Sequence, residues 1–139
     1  MMRKMREMTF RGKRIDSGEW AYGCLVEWKC WVNNDWIQHS AILNGDLCNR
    51  KPLSSDFVEV DPETVGQNAG LHDKNGQEIY EGDIIPYPLI GNLSIAFHCG
   101  AFCIKGKGAT PNYTSLMISV LEADIEVIGN IWEHPDLLK

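Results

Sequence analysis

The sequence predicts a mostly β domain with minor α content, built as a small barrel or as strongly bent antiparallel sheets. Three observations carry this. Many short segments alternate apolar and polar residues at the strand period. Turn residues such as Asn33-Asn34-Asp35, Asn75-Gly76 and Glu81-Gly82-Asp83 punctuate them at close intervals. The clearest helical start, Asp61-Pro62, is bracketed by Gly66 and Gly70, which leaves room for about one turn.

Met8 and Phe10 alternate with Thr9 and Arg11, a short half-buried strand. Residues 12–19 are polar and glycine-punctuated, hence a loop. From Trp20 to Cys30 the chain reads as a strand in which Trp20, Tyr22, Cys24, Val26 and Trp28 share one face. Trp31-Val32 and Trp36-Ile37 flank Asn33-Asn34-Asp35, a hairpin connection. The pattern weakens from Gln38 to Asp56, with a turn at Asn44-Gly45-Asp46 and a breaker at Lys51-Pro52. Phe57, Val58 and Val60 form the next strand.

Asp61 is placed to cap a helical turn that begins with Pro62, where a missing N–H costs nothing. Asp73-Lys74-Asn75-Gly76 is a hairpin signal, and Asn75-Gly76 suits a type I′ turn with positive φ at both central residues. A second bend at Glu81-Gly82-Asp83 delivers Ile84-Ile85 into a strand. Pro86-Tyr87-Pro88 is incompatible with a central strand, because proline lacks a donor. Leu93–Phe97 and Phe102–Ile104 read as a hairpin across Gly100, followed by a mobile loop from Gly106 to Asn112. Leu116–Leu121 and Ile125–Ile131 are further strands, and His134-Pro135-Asp136-Leu137-Leu138 closes with a helical turn. The order of elements in the second half suggests an SH3-like barrel by analogy of pattern.

The run Asp61-Pro62-Glu63-Thr64-Val65-Gly66-Gln67, continuing through Gly70-Leu71 and from Asp73 to Ile85, resembles the signature of the YopX family. These are small phage and prophage proteins, found mostly in Gram-positive bacteria and in some gut Bacteroidetes. Phe10–Arg14 with Gly18–Gly23 resembles the family's opening block, and Glu126–Leu138 its closing block. The chain departs at Asn68-Ala69, where the family usually shows an aromatic residue and then threonine. The resemblance implies one YopX-like domain over residues 1–139, with lobes 5–60 and 61–139, in a phage or prophage accessory protein acting in the host cytoplasm. It implies no biochemical activity.

Composition narrows the classes. With 139 residues, 44% hydrophobic and 23% charged, the chain is long enough to bury a core of its own. No apolar run approaches the ~20 residues of a membrane span, and the basic start is not followed by the apolar segment of a secretion signal. Five cysteines, an odd count at irregular spacing, argue against a disulfide framework. Residues 1–14 hold six basic side chains against one acidic, a net of +5. The remainder holds seven against eighteen, −11, and together they make the −6 of the whole. The acidic body disfavours broad binding to phosphate backbones.

Each chemical motif has a plainer explanation beside it. His98, Cys99 and Cys103 suggest a zinc knuckle, which Cys24, Cys30, Cys48 or His39 would complete. The three-residue gap is too long for a knuckle, and cysteines packed as small hydrophobes explain the same residues. Asp73-Lys74-Asn75-Gly76 opens like a calcium loop but lacks the distal glutamate, so a turn is expected. Asp61, Glu63, Glu81, Asp83, Glu122, Asp124 and Glu126 would make an acid/base or metal site only if they converged in a cleft. A nucleophilic Cys–His pair is a further option, and no hydrolase, phosphate-loop or dinucleotide motif occurs.

The reading is therefore a non-enzymatic module, without cofactor or metal, that binds a protein partner or itself as a homo-oligomer. Its functional surface is drawn from Asp61, Glu63, Gln67, Asp73, Asn75, Glu81, Asp83 and Asn130. Five tryptophans, mostly expected in the core, leave one or two as interface anchors. Sparse lysine beyond residue 14 leaves the sheet edges with few guards against pairing. The alternatives are a nucleic-acid-binding regulator using an arm of Arg6, Arg11, Lys13 and Arg14, and an enzyme with an acidic-cluster site.

Overall fold

In the computed structural model the described residues are 9–43, 56–87, 89–106, 112–115 and 125–138. They are mostly β, with antiparallel pairing throughout and short 3-10 turns at Pro62–Thr64 and Pro135–Leu138. The chain divides into two units, residues 1–67 and 68–139, and the division falls inside one strand.

The first unit carries β1 (Phe10–Lys13), β2 (Trp20–Val32), β3 (Asp35–Leu43), β4 (Phe57–Val60) and the opening of β5 (Gly66–His72). Their order is β4-β3-β2-β1-β5. Ala21, Ile42 and Val60 form its core, flanked by Phe10, Leu25, Val58 and Val65. β3 corrects the sequence reading: the strand runs unbroken through Gln38 to Leu43, in the stretch where the pattern seemed to fade. The reason is that Ser40 and Ala41, small residues with little β signal, are buried between β2 and β4. β2 and β3 meet at Asn33-Asn34, whose φ values of 50° and 63° are the two positive angles of a type I′ hairpin.

Asp61 caps the turn Pro62–Thr64 as expected, its Oδ1 accepting from the Glu63 N–H at 3.0 Å. The turn is held to β1 as well. Lys13 N–H donates to Thr64 Oγ1 at 2.9 Å, and Asp61 N–H donates to the Lys13 carbonyl at 2.8 Å.

In the second unit the end of β5 pairs with β6 (Glu78–Tyr80). A separate sheet runs in the order β10-β9-β8-β7-β11, from β7 (Asp83–Tyr87), β8 (Gly91–His98), β9 (Ala101–Lys105), β10 (Tyr113–Ser115) and β11 (Gly129–Asn130). Ile79, Ile85, Leu93, Ile95, Ile104 and Ile125 make its core with Ala69. No ladder among the described residues joins the ends of either sheet into a barrel.

Three local expectations are corrected. Asn75-Gly76 is not a type I′ turn, since Gly76 has φ +81° but Asn75 does not have positive φ. Asp73 and Gln77 close a loop of three residues instead, with the glycine in the left-handed position. Pro86 lies inside β7. The Ile84 carbonyl accepts from Ile128 N–H on the β11 side, so by alternation Pro86 turns its missing donor to that same edge. β11, opposite Asp83 and Ile84 only, does not extend that far. The expected strand Ile125–Ile131 shrinks to Gly129–Asn130, the rest being held by single bonds to Lys74, Asp73 and Ile84. Leu116–Leu121, Asn44–Asp46, Lys51-Pro52 and most of the Gly106–Asn112 loop lie outside the described residues.

Candidate functional site

The side chains singled out in the sequence are largely engaged in holding turns. Asp73, Asp83 and Asn130 are buried rather than displayed, each less than a tenth exposed. Asp73 takes three backbone N–H groups: Asn75 and Gln77 on Oδ1, both at 2.9 Å, and Val127 on Oδ2 at 3.0 Å. Burial alone would raise its pKa. The donors Val127, Gln77 and Asn75, with the charge of His72, outweigh it and hold the carboxyl below its ordinary value. Asp83 Oδ2 accepts from Tyr80 N–H at 2.8 Å and so closes the β6–β7 bend. Across the β7–β11 ladder it faces Asn130, whose Oδ1 accepts from Trp132 and Glu133 N–H.

Two glycines show how tightly this corner is built. Gly82 has φ +91°, and a methyl group there would overlap the Trp132 ring. A methyl on Gly129 would fall 2.7 Å from His134 Nδ1. Asn75 and Lys74 both reach Glu126, at 3.3 and 3.6 Å. Glu81 is half-buried at the bend, Gln67 half-buried in β5, and Asp61 and Glu63 are exposed on their turn. At the family departure, Asn68 Oδ1 accepts from Gly70 N–H at 2.8 Å while Ala69 is buried in the core. These bonds fix that segment without an aromatic ring. Glu122 and Asp124 lie outside the described residues, and among the described residues no three His, Cys, Asp or Glu side chains form a group able to hold a metal.

The basic arm is similarly committed where it is described. Arg11 is 5% exposed, with its guanidinium 4.5 Å from the Trp20 ring centroid and Lys13 Nζ at 5.4 Å. Arg14 is bound through two nitrogens to Asp16 at 2.9 and 2.8 Å, which raises its pKa through that hydrogen bond and charge and lowers that of Asp16. Arg6 lies outside the described residues. The cysteines are corrected too. Among the described residues only Cys103 is buried, Cys30 is half-buried, and Cys24 and Cys99 are exposed, while Cys48 lies outside them.

The larger correction concerns the tryptophans. None of the five is buried, and Trp28, Trp31 and Trp36 are exposed at 40, 57 and 61%. The face of β2 that carries Tyr22, Cys24, Val26 and Trp28 is the outer one, whereas Ala21 and Leu25 on the other face enter the core.

Register explains why these rings stay in water. β1 accompanies β2 only over Trp20–Gly23, and β4 accompanies β3 only over Ser40–Leu43. The pairs from Trp28↔His39 to Val32↔Asp35 therefore extend as a two-stranded arm, with no further strand beside them among the described residues. Among the described residues such a ribbon has no third element on which to bury either face. One face carries Trp28 stacked on His39, at 5.3 Å, with Ile37 and Val32. The other carries Trp31 and Trp36, edge to face at 5.3 Å. Glu27, Trp28, Lys29 and Gln38 line a cavity of about 390 Å³ at its base. Apolar residues on both faces of the segment around Asn33-Asn34 were the sequence signal for this arm.

Comparison with known proteins agrees on the family. The family model described as YopX protein matches residues 9–139. The crystal structure of protein EF1440 from Enterococcus faecalis is similar, with a TM-score of 0.55 and 25% identity, covering 96% of this chain and 99% of that one. No curated protein matches the chain.

Proposed function

Because this chain belongs to the YopX family, whose model spans residues 9–139, we propose that it is a phage or prophage accessory protein acting without catalysis in the host cytoplasm, by binding protein through the β2–β3 arm. One observation carries the reading: Trp28, Trp31, Val32, Trp36 and Ile37 are all exposed on one short ribbon. Clustered aromatic rings of this kind anchor protein interfaces, since they supply much apolar area for few rotatable bonds. The carboxylates Asp73 and Asp83, by contrast, are buried and tied to backbone donors, Asp73 to three N–H groups and Asp83 to that of Tyr80, which favours a structural role for both. No helix among the described residues is long and apolar enough to cross a membrane.

The test is capture by a tagged chain, with its own second copy counted as a partner. The W31A/W36A variant should lose the bound protein while its thermal midpoint stays within a few degrees of the parent's. Equal capture by variant and parent, or none by the parent, would refute the reading.

A further inference from the structure

We infer that the arm receives a second copy of this chain, joined antiparallel along the outer edge of β2 about a two-fold axis at Trp28. The inference rests on the arm being a protein-binding element and names its occupant. Among the described residues, β2 beyond Gly23 has a neighbouring strand on one side only, and a strand edge without a ladder partner offers its backbone donors and acceptors for pairing.

Symmetry limits how two such edges pair. A two-fold axis perpendicular to the sheet keeps each residue and its opposite on the same face, so one residue must lie opposite its own copy across the axis. Centred on Glu27, the pairing sets Glu27 against its own copy. Centred on Lys29, it sets two lysines together. Centred on Cys30, it leaves both charges opposite neutral residues, with Glu27 facing Asn33 and Lys29 facing Trp31. Centred on Trp28, it places Glu27 of each copy opposite Lys29 of the other. Only this last register gives two opposite-charge pairs.

The remaining pairs agree with that choice. On the outer face Val26, 41% exposed, falls opposite Cys30 of the second copy, and Trp28 meets its own copy on the axis. On the other face half-buried Leu25 falls opposite Trp31. Apolar side chains thus meet apolar ones on both faces. The 3.3 Å bond from Gln38 Nε2 to Glu27 is long and exposed, and an ion pair can replace it. Local compensation matters for a chain of net charge −6, whose copies repel at a distance.

The experiment is light scattering at tens of micromolar on the parent chain, E27K, K29E and E27K/K29E. The parent should show twice 15.7 kDa. Each single reversal sets like charges opposite one another at both crossings, and should raise the dissociation constant about tenfold or more. The double reversal restores both pairs and should return the parent value, which also shows that the variants fold. A monomeric parent overturns the inference, as does a single reversal without effect or a double reversal as weak as the singles. If such a monomer still captures another protein that W31A/W36A loses, the self-pairing fails alone. If it captures none, the protein-binding reading fails with it.

Discussion

Replacing Asp73 by Asn should cost about 2–3 kcal/mol of stability at neutral pH, most of it through one hydrogen bond. The asparagine oxygen can retain the Asn75 and Gln77 N–H groups, which approach the same carboxylate oxygen at 2.9 Å. Its amide nitrogen then faces the Val127 N–H, now held at 3.0 Å from Oδ2, so a good acceptor becomes a second donor. Leaving one such donor unsatisfied costs about 1–3 kcal/mol, and the two retained bonds weaken with loss of the charge. The pH dependence has a definite sign. The folded-state carboxyl sits below its ordinary value, so its contribution is fully present above the unfolded-state value, about 3.9, and disappears as pH falls through the depressed folded one. Protonated Asp73 resembles asparagine in hydrogen bonding. Urea unfolding of parent and D73N should therefore show a gap that is constant from pH 7 to about 5 and closes toward pH 3. A gap below about 0.5 kcal/mol at pH 7, or one unchanged at pH 3, would refute the account.

The Gly82→Ala variant must place a methyl in the Trp132 ring at φ +91°, and should lose about 2 kcal/mol or more in the same urea assay. W31A/W36A removes one edge-to-face pair that is otherwise exposed, so its stability should fall by no more than about 1 kcal/mol while binding is lost. Short duplex DNA should show no electrophoretic shift at either low or moderate salt, given the engaged Arg11, Lys13 and Arg14 and an acidic chain. A salt-sensitive shift would favour the basic-arm regulator instead.

The strand-rich class, the hairpins and the 3-10 turn at Asp61 were legible because each depends on local chemistry, a period of two or a residue that fits one backbone angle. The residues that misled did so where a neighbour decided the outcome. Nothing local at Asn75-Gly76 reveals that Asp73 will take the Asn75 and Gln77 N–H groups and impose a wider loop. Pro86 enters a strand at a point that β11, paired only with Asp83 and Ile84, does not reach, which is a property of another segment. The face of β2 was identified by period, but period cannot say which face is inside. That depends on β1 and β4 ending where they do, so that the aromatic-rich side and the whole distal ribbon stay outside.

The residues that make the family resemblance are also those spent on architecture. Asp61, Asp73, Asp83 and Asn130 each accept backbone N–H groups at a chain reversal, and Gly82 and Gly129 clear space for Trp132 and His134. Tight turns with few apolar anchors need such side chains, because an unpaired N–H in a buried bend costs more than most surface contacts return. A sequence motif of this kind identifies the scaffold. The side chains left over, neither capping nor in a core, are the ones with freedom to meet a partner. In this chain the exposed tryptophans are among them, and all three sit on the β2–β3 ribbon: Trp28, Trp31 and Trp36, with Glu27 and Lys29 set two residues apart on one strand. That separation, centred on a tryptophan, is what lets an edge match its own copy.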